Sequence, residues 1–360
     1  MLKTIMIHRT AAAWQDITNK EQQLISSDRN TPADETLGSW QLQLQHAVSD
    51  PAQLLSLLAL DTAYLEAAQR SAVLFPLRVP LAFIARMKKG DINDPLLQQV
   101  LPVDAECEVT DGYSTDPVEE QSGHINGLIH KYHGRVLLMV NGHCAINCRY
   151  CFRRHFPYDE HKLSREQWTD VLQHIRDDHS ISEVIYSGGD PLASNDKQLR
   201  WLTEKIADIP HIKRLRIHSR LPIVIPSRIN DACIQWMSET RLKVVMVLHS
   251  NHGNELADFT LKTAVQRMKS VGITVLNQAV LLKGINDDVI SQVQLSEDLF
   301  EMGVLPYYLH VLDKVQGSAH FAISDLTAKQ LHAKITAQLP GYLVPKLVRE
   351  ISDEPSKVLI

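Results

Sequence analysis

From residue 135 onward, short apolar runs alternate with amphipathic helical stretches, and no other feature narrows the fold as much. The runs are 135–141 (RVLLMVN), 183–189 (EVIYSGG), 214–220 (RLRIHSR), 242–250 (LKVVMVLHS), 273–282 (ITVLNQAVLL) and 304–312 (VLPYYLHVL). Between them, 164–177 opens on a capping box made by Ser164 and Gln167. The stretch 257–270 is followed by Gly272 and 291–302 by Gly303, both placed as C-terminal stops. Six strands separated by helices imply right-handed βαβ units and a parallel sheet buried on both faces, an α/β fold. A doubly wound sheet also satisfies this alternation. A barrel or partial barrel is preferred, because polar groups follow nearly every strand instead of gathering at one crevice.

Four regions are expected along the chain. Residues 1–40 are polar and mixed, with a loop-like stretch at 26–32. Residues 41–123 form a helical region, in which Leu54, Leu55, Leu57, Leu58 and Leu60 recur at helical spacing. Within it, 102–123 is rich in Asp, Glu, Gly and Pro and reads as a connection crossing the surface. Residues 124–339 carry the strand–helix array, and 340–360 form a C-terminal tail. Hydrophobic residues at 44% and charged residues at 22% support a packed core. A net charge of -5 argues against a sequence-independent grip on nucleic acid. The chain has no apolar run long enough to span a membrane and no secretory signal pattern, so a cytoplasmic protein is expected.

In a reducing compartment a cysteine cluster binds metal more often than it forms disulfides. Three of the five cysteines, Cys144, Cys148 and Cys151, lie directly after the first strand of the array, whereas Cys107 and Cys233 stand alone and read as buried small hydrophobes. Cys-x3-Cys-x2-Cys offers three thiolates to one centre. A structural zinc site needs four ligands, so zinc would require His143, His155 or a distant residue as well. A 4Fe–4S cluster on three thiolates leaves one iron open to a substrate. Both readings stand on spacing alone.

The Cys-x3-Cys-x-Tyr-Cys pattern, followed at the end of the second strand by Ser187-Gly188-Gly189-Asp190, resembles the radical S-adenosylmethionine superfamily. The flanking Arg153-Arg154-His155-Phe156, Leu276-Asn-Gln278, Pro306-Tyr-Tyr308 and Gly341-Tyr-Leu-Val-Pro345 resemble the lysine 2,3-aminomutase family from about Trp40 onward. The runs 130–158 and 305–321 are similar to the subgroup that makes (R)-β-lysine for elongation factor P. The resemblance implies a partial (β/α)6 barrel with a helical N-terminal region and a tail closing the site. It implies an isomerase that uses a 4Fe–4S cluster on Cys144, Cys148 and Cys151, S-adenosylmethionine and pyridoxal phosphate, with an external one-electron reductant. Lysine is the implied substrate, and elongation factor P with its lysyl-ligase the implied functional partners.

Roles carry over residue by residue. Lys357 matches the lysine that holds pyridoxal phosphate. Ser187, Gly188, Gly189 and Asp190 match the loop that receives the methionine amino group. Lys131 and Arg135 match basic residues near the cofactor phosphate, and His249 and Gln278 are assigned to S-adenosylmethionine or pyridoxal phosphate. Arg153 matches the arginine that clamps the substrate carboxylate; Asp313 and Glu350 match the carboxylates near its ε-ammonium. The chain departs from the family pattern at Ser352-Asp353, where a Gly pair is usual, and at Glu350, where the catabolic enzymes have Asp. Two other classes compete: a radical S-adenosylmethionine enzyme without pyridoxal phosphate, for methyl transfer or peptide modification, and a non-catalytic zinc-stabilised binding module.

Overall fold

The computed structural model describes residues 39–121, 125–158, 163–352 and 354–360. Residues 1–38, nearly all of the expected polar N-terminal segment, lie outside the described residues, as does Asp353 of the departing pair. Nine strands form one sheet among the described residues: β1 Leu128–Tyr132, β2 Arg135–Asn141, β3 Glu183–Gly188, β4 Arg214–Ser219, β5 Lys243–His249, β6 Thr274–Leu281, β7 Leu305–Val311, β8 Lys346–Arg349 and β9 Val358–Leu359. They pair in strict chain order. β2 through β8 run parallel, while β1 and β9 add antiparallel edges. A doubly wound sheet reverses its strand order at a switch point. Here every crossover moves one place in the same direction, which is the winding of a barrel, and the sheet stays open between β1 and β9.

The six expected strands are β2 to β7. β8 and β9 fall in what reads as a tail. Their four and two residues are too short for any hydrophobic period, and they form because the main chain finds partners there: Arg349 pairs with Val358 and Val348 with Leu359. The expected capping box is present, with Gln167 N donating to Ser164 Oγ (3.2 Å) and Ser164 N to Gln167 Oε1 (2.7 Å). It starts the helix Arg165–Asp177, which buries Trp168, Val171, Leu172 and Ile175 against the sheet. Gly303 closes the helix Val289–Met302 at φ 90°, a backbone region open to glycine at no side-chain cost.

The N-terminal helices Trp40–Gln45, Pro51–Leu57, Leu65–Leu74 and Leu81–Ile84 share one apolar core with the array. Polar contacts join them further: Arg86 donates to the carbonyls of Glu255 (2.6 Å) and Ile223 (2.7 Å).

Two expectations are corrected here. The stretch 102–123 does not simply cross the surface, because Glu106 and Glu120 point inward and are buried. Cys107 is exposed instead of buried. It ends the 3₁₀ turn Asp104–Cys107, whose buried residue is Glu106. That carboxylate has two arginines to meet inside, which outweighs the ordinary preference of a thiol for the core. Cys233 is buried, as expected.

Candidate functional site

Side chains alternate across a strand, so one face of each parallel strand meets the helices and the other the barrel interior. Val184, Tyr186, Leu215, Ile217, Met246 and Leu248 belong to the apolar core. Their neighbours Arg135, Glu183, Ser187, Arg216, His218, His249, Gln278, Tyr308 and His310 fall on the other face. A packed barrel fills that face with Val, Ile and Leu. This one is polar. Several of its atoms are buried without a partner, among them Arg216 Nε, His218 Nε2 and His310 Nε2. Buried polar groups are ordinarily satisfied, so unsatisfied ones gathered on one interior face mark a ligand space.

The cysteine loop follows β2 and is held from below by the N-terminal region. Asn147 N donates to Arg78 O (3.0 Å) and Arg149 N to Gln99 O (2.9 Å). Arg149 is fully buried, and its guanidinium meets Glu106 at 2.8 and 3.0 Å through Nε; Arg154 reaches the same carboxylate at 2.8 Å. Both guanidinium groups lie over the Phe75 ring. On the other side Arg220 Nη1 donates to Cys148 Sγ at 2.7 Å, and Arg220 Nη2 pairs with Glu255 at 3.0 Å. Burial raises the Cys144 thiol well above its usual range, with Cys151 adding to the effect, and raises Cys151 to about 11. Cys144 and Cys151 therefore resist ionising until a cation joins them.

Three thiols on one loop leave a closed zinc site one ligand short. A single tetrahedral zinc with Zn–S bonds of about 2.3 Å needs sulfurs about 3.8 Å apart. Among the described residues, no three ligand atoms drawn from these cysteines, His143 and His155 lie within 4.8 Å of one another. His155 instead contacts Gln316 O at 3.1 Å. Three thiols without a fourth protein ligand among the described residues suit a cluster, and the nearby guanidinium groups of Arg220 and Arg153 suit its negative charge.

The Gly pair serves packing first. A Cβ on Gly188, whose φ is +123°, would overlap the Asn141 carbonyl, and one on Gly189 would sit 2.7 Å from His143 O. Without side chains there, Gly189 N reaches Asn141 O (2.7 Å) and Asp190 N reaches His143 O (2.8 Å), which docks the end of β3 onto the cysteine loop. The Asp190 side chain turns to the protein itself. Its carboxylate accepts from Ser219 Oγ (2.7 Å) and from the backbone N of Arg220 (2.8 Å), Leu221 (2.9 Å) and Leu192 (3.0 Å). It organises the end of β4 with every one of these donors supplied by the protein. Ser187 and Gly188 instead meet Arg153, whose Nη1 lies 2.9 Å from Ser187 Oγ and 3.3 Å from Gly188 O.

Arg153 is buried, and its fork grips Glu120 through Nε (2.6 Å) and Nη2 (3.0 Å). Burial works against its charge, and Glu120 more than offsets this, so the guanidinium is held protonated. Any carboxylate bound there has to share or displace Glu120.

The tail hairpin brings the remaining residues together. β9 returns alongside β8, so Lys357 sits across the hairpin loop from Glu350 and pairs with it. Lys131 reaches the same carboxylate at 3.1 Å. Burial works to raise the Glu350 carboxyl, but these two ammonium groups outweigh it and hold it down to about 2. Asp313, after β7, is pushed the other way, to about 7, by burial and by the nearby Glu350 charge. Two carboxylates driven apart in this manner are a common mark of a working site.

Lys131 and Arg135 have different neighbours. The irregular register of β1 between Ile129 and Tyr132 sends Lys131 to Glu350, while Arg135 lies over the Tyr132 ring at 4.6 Å. Arg135 shares electrostatic reach of Tyr308 with Arg216 instead. His249 and Gln278 are register partners, and their Nε2 atoms lie 3.0 Å apart. Burial lowers the imidazole to about 3, which keeps it neutral.

Sequence reasoning missed Glu106, Glu120, Arg216, His218 and Arg220. The alternating polar residues of 214–220, within a run read as buried on both faces, were the signal for Arg216 and His218. No local pattern marks the two glutamates.

These residues fit both groups that the resemblance implies: three thiols among guanidinium groups for a cluster, and, for a phosphorylated aldehyde, the partly buried Lys357 amine together with Arg135 and Arg216 on the interior face around Tyr308. We expect Arg220→Gln to lower the cluster's midpoint potential by tens of millivolts, because it removes a cation and an N–H donor from Cys148. Arg220→Lys should shift it less; a redox titration followed by electron paramagnetic resonance checks both.

A three-cysteine loop at the end of the first parallel strand of an open, singly wound β/α barrel defines a radical S-adenosylmethionine enzyme, and residues 138–239 match the Radical SAM superfamily. The chain is 51% identical to L-lysine 2,3-aminomutase of Escherichia coli (strain K12), over 91% of this chain and 95% of that protein. It is 49% identical to the L-lysine 2,3-aminomutase of Haemophilus influenzae, over 89% and 95% of the two chains. The enzyme of the same name from Clostridium subterminale is 28% identical over 88% of this chain and 76% of its own length. The chain belongs to the L-lysine 2,3-aminomutase family, whose members are isomerases using a 4Fe–4S cluster, S-adenosylmethionine and pyridoxal phosphate. No helix among the described residues is long and apolar enough to cross a membrane.

Proposed function

We propose that this aminomutase depends on pyridoxal phosphate carried by Lys357, converts L-α-lysine to (R)-β-lysine, and supplies that product for modification of elongation factor P. The observation that carries the pyridoxal reading is the convergence of Lys357, Glu350 and Asp313 at the tail hairpin, beside an interior face lined by Arg135, Arg216 and Tyr308. When bound, the cluster supplies one electron for cleavage of S-adenosylmethionine, and pyridoxal phosphate supplies a carbonyl for the migrating amino group. The protein's share is placement and exclusion of water. Arg153 holds the substrate carboxylate, with Ser187 and Glu120 fixing its guanidinium. Asp313 and Glu350 receive the ε-ammonium, which sets the length of the substrate. His249, kept neutral by burial, accepts a hydrogen bond from the Gln278 amide, so both stay in place as the interior loses water. The link to elongation factor P rests on the runs 130–158 and 305–321.

Anaerobic incubation with lysine, S-adenosylmethionine, pyridoxal phosphate and a one-electron reductant tests the reaction. β-Lysine is expected, and none should form when pyridoxal phosphate is withheld. Adding elongation factor P and its lysyl-ligase should then give a mass increase that β-lysine supports better than α-lysine; equal use of both sinks the partner reading.

The Asp313 carboxyl gives a pH prediction. Below pH 7 it carries a proton that must leave before it can receive an ammonium group, and the lysine ε-ammonium itself does not titrate until about pH 10.4. The KM for lysine should therefore rise about tenfold for each pH unit below 7 and level off above it. In Asp313→Asn the inflection near 7 should vanish, and KM should be high at every pH.

A further inference from the structure

One cluster of ligating side chains lies apart from the cysteine loop, between β1 and the C-terminal end of the helix Arg165–Asp177. We propose that His130, His174 and Asp178 form a site for a late first-row divalent cation, zinc foremost. The ligand atoms of the three lie within 4.8 Å of one another. His130 Nδ1 is 3.9 Å from Asp178 Oδ2, and the two imidazole rings meet edge to face with centroids 6.5 Å apart. Tetrahedral zinc with bonds of about 2.0–2.1 Å to nitrogen and oxygen needs donors about 3.3 Å apart. Rotation of the two imidazoles covers the difference.

Three further observations favour a cation here. His174 and Asp178 are four residues apart at the helix end, so they share a face. The carbonyl end of a helix carries partial negative charge, which favours a cation. Asp178 is already oriented: its Oδ1 accepts from Ser180 N (2.9 Å) and Ser180 Oγ (2.6 Å), while Oδ2 faces His130. A carboxylate held by a neighbouring donor is the usual support of a metal ligand. Two imidazoles and a carboxylate select zinc, copper or nickel over magnesium or calcium, and leave a fourth position for water. The site lies at the end of the sheet away from the cysteine loop, where barrels place features of stability. A bound ion would tie β1, which carries Lys131 next to His130, to the first helix of the array.

The test uses enzyme with its cluster assembled, so that the three thiols are already occupied. Equilibrium dialysis against zinc chloride should retain one zinc per chain, and zinc X-ray absorption should show nitrogen and oxygen neighbours without sulfur. His174→Ala and Asp178→Asn should each weaken binding by more than tenfold, and Ser180→Ala by about tenfold. All three positions are partly exposed or exposed, and circular dichroism with cluster absorbance per chain confirms that each variant is folded. No retained zinc, sulfur in the zinc shell, or unchanged affinity in a His130→Ala/His174→Ala double variant overturns the proposal. None of these readouts requires aminomutase turnover.

Discussion

Lys357→Ala is expected to abolish β-lysine formation while the iron–sulfur chromophore stays intact. Loss of a covalent catalytic group costs on the order of 10⁴- to 10⁶-fold, which places residual turnover below detection. The variant should also fail to retain pyridoxal phosphate, so its visible absorbance after desalting should be that of the cluster alone. The fold should survive, because Glu350 keeps its contact with Lys131 at 3.1 Å when Lys357 is removed. Lys357→Arg separates two explanations. It restores a cation opposite Glu350 but offers no amine that can hold an aldehyde. If Lys357→Arg regains activity, Lys357 acts through its charge, and the pyridoxal reading of the hairpin fails.

The second large effect is expected at the cysteines. Cys144→Ala, Cys148→Ala and Cys151→Ala should each remove the chromophore and with it all cleavage of S-adenosylmethionine, in the presence or absence of lysine. Anaerobically assembled wild-type protein should hold about four irons per chain with labile sulfide, whereas each variant should fall to a small fraction of that. Cys107→Ser is the control. Cys107 is exposed and its sulfur contacts Ser71 Oγ at 3.4 Å, well outside the loop, so iron content should not change. Wild-type protein with one zinc and no sulfide would remove the radical chemistry altogether.

The cysteine loop could be read before folding because its information is local. Three thiols within eight residues, placed directly after an apolar run, meet one another wherever that strand lies. The six strands β2 to β7 were equally legible, since each repeats an apolar pattern long enough to register. Lys357 was different. Seen alone it is a lysine near the end of a chain, and only register with a family assigned it a role. Its position in space depends on β9, two residues long, which exists through its pairing with β8.

The buried carboxylates lay furthest from view. Glu106 and Glu120 occur in a stretch rich in Asp, Glu, Gly and Pro, where acidic residues ordinarily face water. Their burial follows from partners 43 and 33 residues away, Arg149 and Arg153. Asp190 shows the converse. Its type and place suggested a ligand for an ammonium group, yet four donors of the protein itself satisfy it.

By itself, the sequence determined the strand–helix alternation, the parallel sheet and the thiol loop, because each arises from neighbours along the chain. Tertiary structure alone decided which charges face inward, that Lys131 meets Glu350 while Arg135 lies over Tyr132, and how burial and neighbouring charge push the two site carboxyls in opposite directions. Those outcomes depend on desolvation and on distances between residues remote in sequence, and both exist only once the chain has closed around them.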